Sequence, residues 1–212
     1  MFLTSRCFQD NGWIPGECAF AIPHPENRFA TSSNLNPDLE WGELPAGTQS
    51  LVLICHDPDV PAVLDDFNKE GRTVAASIPR IDLYHWVLVD IDPAVGQIGK
   101  GEFSNGIVPH GKPGPAALRG TRQGLNDFTQ WFRDDPNMAG SYFGYDGPCP
   151  PWNDEIAHRY FFTLYALDVA KCPVSGSFTA PNVLKAIEGH CLGTKTLVGR
   201  YSLNPEVLAA KT

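Results

Sequence analysis

Positive charge is scarce in this chain: 16 Lys and Arg stand against 24 Asp and Glu, a formal net charge of −8. No basic stripe forms anywhere along it. Nucleic-acid binding concentrates Lys and Arg on one face, so that class is excluded, and an anionic bilayer would repel the protein on average. Long apolar runs are also missing. None approaches the roughly 18 residues that a membrane-spanning helix needs, and residues 1–10 show no basic segment leading into an apolar core. The expectation is a soluble, cytoplasmic chain without stable membrane insertion.

Cysteine spacing is equally uninformative about metals. Cys7, Cys18, Cys55, Cys149, Cys172 and Cys191 are scattered with no C-x-x-C pair, which points to reduced thiols rather than disulfides or a zinc site. Cys55, His56 and Asp57 adjoin, but successive strand residues face opposite sides and cannot share one ion. There is no G-x-S-x-G elbow, no H-E-x-x-H helix and no phosphate-cradling glycine loop between strand and helix. No cofactor and no metal are expected.

What is present is loop chemistry and short apolar segments. With 20 Gly, 19 Pro and 42% hydrophobic residues, the 212-residue chain reads as one loop-rich domain, 1–212. Residues 50–56 are nearly continuously apolar, as in a central strand, and run into Asp57-Pro58-Asp59-Val60-Pro61, where proline is expected to stop the strand. Residues 84–91 form a second strand with His85 at its start. Gly147-Pro148-Cys149-Pro150-Pro151 places three prolines in five residues, which neither a helix interior nor a central strand tolerates. This stiff loop delivers His158 and Tyr160 to the mouth of a third strand, 159–167.

Elsewhere, 103–121 reads as a long surface loop. Segment 62–83 is an excursion with one helical turn near 65–70, and Trp131 and Phe132 are expected over a pocket or at its rim. Thr179 caps a helix over 181–188 with Pro181 in its first turn, Val183, Leu184 and Ile187 on its apolar face, and Gly189 at its end. Strand alternation and proline-rich turns predict a mainly β fold, an antiparallel Greek-key β sandwich with a few peripheral helices.

The ordered set DPDVP at 57–61, His85-Trp86, Gly147 to Pro151, then His158-Arg159-Tyr160 resembles the phosphatidylethanolamine-binding protein family, in its bacterial Raf kinase inhibitor-like branch. The flanks at 8–15, 34–48, 165–168 and 189–201 are similar too. Segments 62–83 and 129–143 are longer than the family's short form, and Trp152 and Asn153 lengthen the approach to His158.

The resemblance implies a small pocket lined by Asp57, His85, His158 and Tyr160, walled by Gly147, Cys149 and Pro151. Arg122, whose fork suits phosphate, reads either as a rim residue or as an ordinary loop arginine, and Pro61 is a second rim candidate. Such a pocket holds phosphate, a carboxylate or a phosphorylethanolamine head group. Taken singly, each histidine reads as a satisfied core residue at a strand end; the order of the motifs favours the pocket. Two imidazoles and a phenol supply donors for an oxyanion, while Asp57 fixes an imidazole tautomer or meets an ammonium. The expected partners are a small anion or phospholipid head group, with a protein kinase or protease implied by the family name, and a homodimer as in bacterial relatives. The expected function is binding rather than catalysis. The alternative is a hydrolase with His85 as base and Asp57 as orienter; Cys149, lodged between prolines, reads as a small wall residue rather than a nucleophile. A cis proline is expected at 60–61 or within the proline loop.

Overall fold

The computed structural model describes residues 1–210. In chain order the strands are β1 (Phe2–Thr4), β2 (Gly12–Trp13), β3 (Ala21–His24), β4 (Arg28–Thr31), β5 (Leu39–Gly42), β6 (Ser50–Pro61), β7 (Arg80–Ile91), β8 (Gln97–Ile98), β9 (Arg122–Gln123), β10 (His158–Leu167) and β11 (Cys191–Tyr201). Three short helices, α1 (Phe128–Trp131), α2 (Ala180–Ala186) and α3 (Pro205–Ala209), complete it. Among the described residues no helix is long and apolar enough to cross a membrane.

The main sheet has the order β2-β11-β10-β6-β7-β9, antiparallel throughout except for the β11–β2 pair, and faces a small antiparallel sheet β1-β5-β8. Alternation along β6 explains its continuous apolarity. Leu51, Leu53 and Cys55 join Leu3, Leu39, Trp41 and Ile98 in the core between the sheets. Val52 and Ile54 point the other way and pack with Phe178, Val183 and Ile187 at α2. A strand covered on both faces has no solvent side to make polar.

Proline does not stop β6 at residue 56. The strand runs on to Pro61 because its pairing with β7 shifts register between Asp57 and Val60, so the missing donor of Pro58 falls in an irregularity rather than in the ladder. The cis peptide is also elsewhere than expected, at Gly114–Pro115. The turn near 65–70 is not a helix. The late helix forms where expected: Asn182 Oδ1 accepts from the backbone N–H and hydroxyl of Thr179, closing its first turn.

Candidate functional site

The middle strands β10, β6 and β7 lie side by side and send Asp57, His85, His158 and Tyr160 into one cavity of about 170 Å³. Cys149, Pro150 and Pro151 of the proline loop form one wall. Phe128, Trp131 and Phe132 form another, because Asp127 docks on the edge of β7 through both Tyr84 N and Tyr84 O (2.8 and 2.9 Å) and starts α1 beside His85. Phe67 and Asn68 of the 62–83 excursion close the mouth, with Phe67 tilted at 50° against Trp131, 5.2 Å between centroids. The two long segments therefore meet over the cavity. Phe20, Phe29, Val60 and Leu83 make the rest of the lining, so most of it is apolar.

At the floor the two histidines are in opposite states. His158 is fully buried between two carboxylates, with Nδ1 2.7 Å from Asp57 Oδ2 and Nε2 3.1 Å from Asp154 Oδ2. A carboxylate only accepts, so both ring nitrogens carry protons and the ring is an imidazolium. Burial alone would lower its pKa, but Asp57 and Asp154 outweigh that and raise it to about 9. Asp154 is held in turn by Arg80, whose two terminal nitrogens lie 2.6 and 3.0 Å from its oxygens. Burial works against an ionised Asp154, and the bonds from His158 and Arg80 prevail, leaving its pKa lowered. Two cations and two anions thus form a closed, neutral cluster.

His85 donates through Nδ1 to the carbonyl of Asp146 at 2.7 Å. Burial pushes its pKa down, so at neutral pH it is the uncharged tautomer with its lone pair on Nε2. The Asp146 carbonyl is fixed by its own side chain, which accepts from Asn34 and Asn126 (2.8 Å each) and pairs with Lys112 at 3.0 Å. Edge-on to His85, with centroids 5.1 Å apart, stands Tyr160. Its hydroxyl is buried near Asp57 but outside hydrogen-bonding geometry with it or any other group, and burial together with the charge and nearness of Asp57 raises its pKa well above the usual phenol value. The cavity therefore offers one unengaged donor, the Tyr160 hydroxyl, and one unengaged acceptor, His85 Nε2.

The profile of the phosphatidylethanolamine-binding protein family matches residues 4–202. The chain belongs to that family. A UPF0098 protein of Methanothermobacter thermautotrophicus is 31% identical over 201 residues, covering 95% of this chain and 98% of the relative. UPF0098 protein YbhB of Escherichia coli is 29% identical over 169 residues, covering 80% of this chain and 82% of its own. Among solved structures, a putative phosphatidylethanolamine-binding protein homologue from Chlamydia trachomatis has a TM-score of 0.63 at 27% identity, covering 94% of this chain and 95% of that one. YbcL of Escherichia coli, described as a new member of the mammalian family, has a TM-score of 0.65 at 22% identity, covering 94% and 96%, a likeness of fold alone.

Within this family frame several expected site residues stand elsewhere. Arg122 does not reach the rim: it donates to Asp90 and to the carbonyls of Val174 and Cys172, tying β9 to the segment before α2. Pro61 lies past the cavity, paired with Arg80 across β6 and β7. Gly147 is behind the wall rather than in it, where a Cβ would stand 2.2 Å from the Cys18 carbonyl oxygen. Asp57 orients His158, not His85, so the base and orienter of the hydrolase reading are not partners. The expectation of two imidazole donors also fails, because both nitrogens of His158 are committed to carboxylates.

Sequence reasoning missed Asp154, Arg80 and Asp146. For Asp154 a signal existed: it precedes His158 by four residues, directly after a proline loop. Nothing local in the sequence marks Arg80 or Lys112. Asn153, noted only as an insertion, receives Asn68 N–H and donates to the carbonyls of Asp66 and Arg72, pinning the 62–83 excursion to the proline loop.

Proposed function

We propose that the protein is a ligand-binding module whose cavity takes a phosphate or carboxylate head group together with one proton. The observation that carries this is the unengaged pair beside the neutral cluster, the Tyr160 hydroxyl as donor and His85 Nε2 as acceptor. A group such as P(OH)–O⁻ or a carboxylic acid matches both, its oxygen accepting from Tyr160 and its O–H donating to His85. An unprotonated oxyanion reaches the same state by drawing a proton onto His85. Either route takes up one proton, and the aromatic walls cover the carbon chain of the ligand.

Binding is favoured over hydrolysis by the state of the other groups. Burial raises the Cys149 thiol to about 12, which removes the thiolate at neutral pH. His158 is already protonated and cannot act as a base. All six cysteines are unpaired, which supports a reducing compartment such as the cytoplasm. Exposed Phe29, Val63, Leu64 and Trp131 support pairing with a second copy, a reading that a monomer mass by light scattering would remove.

The test is titration calorimetry with phosphorylethanolamine and acetate, in two buffers of different ionisation enthalpy. Uptake of about one proton is expected, with affinity rising as pH falls towards 6. His85→Ala should weaken both ligands about tenfold or more while the fold survives. Equal affinity in wild type and variant, or no binding of either ligand at millimolar concentration, would defeat the proposal.

A further inference from the structure

The strongest feature outside the cavity is Arg200. Of the nine arginines in the sequence, eight are ion-paired to a carboxylate, from Arg6 on Asp38 to Arg159 on Asp59. Arg200 alone has no carboxylate partner among the described residues. In a chain with eight more acidic than basic residues, a surface arginine left over is not explained by a shortage of carboxylates.

Its surroundings deepen the puzzle. Arg200 lies in β11 between Trp13 of β2 and Arg159 of β10, so its cross-strand neighbour is a second cation. Like charges directly opposite in a ladder are unfavourable unless something offsets them; Asp59 does so for Arg159, at 2.7 and 2.9 Å, and no carboxylate among the described residues does so for Arg200. Its guanidinium stands 5.2 Å over the Trp13 ring, and its Nε is buried without a partner. Arg200 lines an open groove of about 700 Å³ that the cavity does not share. Across the groove stands a second pair of the same kind, Arg28 at 5.0 Å over Trp152. Glu155 and Glu206 also line the groove, but neither makes an ion pair with Arg200, and Glu155 accepts from Ala76 N–H.

We propose that this groove is a second ligand site, which takes a planar aromatic or heteroaromatic anion with its carboxylate or phosphate on Arg200 and its ring among Trp13 and Trp152. The fork of a guanidinium meets a carboxylate or phosphate with two parallel bonds, which is the partner Arg200 lacks among the described residues. The indoles supply apolar surface for a ring beside the guanidiniums that stand over them, and an anion there pairs the charge of Arg200 as Asp59 pairs that of Arg159. The groove volume is within the usual range for small-molecule sites. The site is separate from the head-group cavity, and the proposal does not depend on what that cavity binds.

AMP serves as the phosphate probe and benzoate as the carboxylate probe, with adenosine and inorganic phosphate as the separated halves of AMP. Binding is read by tryptophan fluorescence and by the Trp13 indole N–H resonance. AMP or benzoate is expected to shift that resonance saturably, with adenosine and phosphate each at least about tenfold weaker than AMP. Arg200→Gln should weaken the probes about tenfold, and Arg200→Lys, which keeps the charge but not the fork, less. Arg200→Gln should leave phosphorylethanolamine titration unchanged, and His85→Ala should leave AMP binding unchanged, which separates this site from the cavity. The proposal is overturned if neither probe shifts Trp13 at millimolar concentration, if folded Arg200→Gln binds them as wild type does, or if AMP competes with phosphorylethanolamine.

Discussion

Raising the pH should unfasten the site from its floor upwards. His158 has a folded pKa of about 9 against an ordinary value of 6.5. A histidine raised in this way contributes stability that is fully present below about 6.5 and is lost as pH climbs through about 9. The rise corresponds to about 3 kcal/mol at most, and for a chain of this length that lowers Tm by about 6–12 °C. Below 6.5 the sign reverses. Burial lowers the pKa of both His85 and His56, so each contributes stability present above about 6.5 and lost as pH falls. Stability should therefore peak near pH 6.5. Buried thiols complicate the alkaline limb, since Cys149 and Cys172, raised to about 12 and about 11, stay protonated only in the folded protein. Their contribution begins near pH 8.5, the ordinary thiol value, so the interval from about 6.5 to 8 reports on His158. The assay is urea denaturation across that interval for wild type and His158→Gln, with the histidine pKa followed by NMR. The variant should be less stable near neutrality and flat in pH. A wild-type midpoint unchanged from pH 6.5 to 8, or a His158 resonance titrating near 6.5, would refute the imidazolium between two carboxylates.

The other expectations follow the same cluster and its supports. Asp154→Asn should destabilise by about 3–5 kcal/mol in chemical denaturation, because Arg80 and His158 both lose the charge that pairs them. The same variant should lower the His158 pKa. Asn126→Ala should cost about 1–3 kcal/mol and weaken head-group binding, since Asp146 loses a partner and its carbonyl no longer holds His85 as firmly. Arg122→Ala should cost about 3 kcal/mol, leaving Asp90 buried without its main partner, yet leave head-group affinity unchanged in calorimetry. Trp131→Ala, at a residue 41% exposed, should cost about 1–3 kcal/mol through the apolar surface it covers, and should weaken ligands with carbon chains more than acetate.

The parts legible in the sequence were those whose physics is local. The central strands show as apolar runs, the proline loop shows because three rings leave it no other structure, and Thr179 with Pro181 announces a helix start. The four floor residues were legible as an ordered motif. What the sequence hides is pairing at a distance. Arg80 looks like any arginine after a proline, and only the fold sets it against Asp154, 74 positions on. The motif likewise says that two histidines converge without saying that one is charged and sealed while the other is neutral. That difference arises from Asp154 and from a backbone carbonyl, neither of which the motif contains. Proline at residue 58 misled for the same reason: whether its missing donor matters depends on the register of the neighbouring strand, which the local sequence does not encode.

The clamp made by Asn153 bears on how such a domain can be altered. One amide holds the excursion by its backbone, through Asn68, Asp66 and Arg72, and the adjoining Asp154 holds the end of the same excursion through Arg80. Residues 62–83 and 150–156 are therefore a single replaceable part despite their separation in the chain. A chimera that transplants either segment alone into a shorter relative would bring a socket without its peg, whereas one that moves both together would carry the mouth of the cavity with it intact.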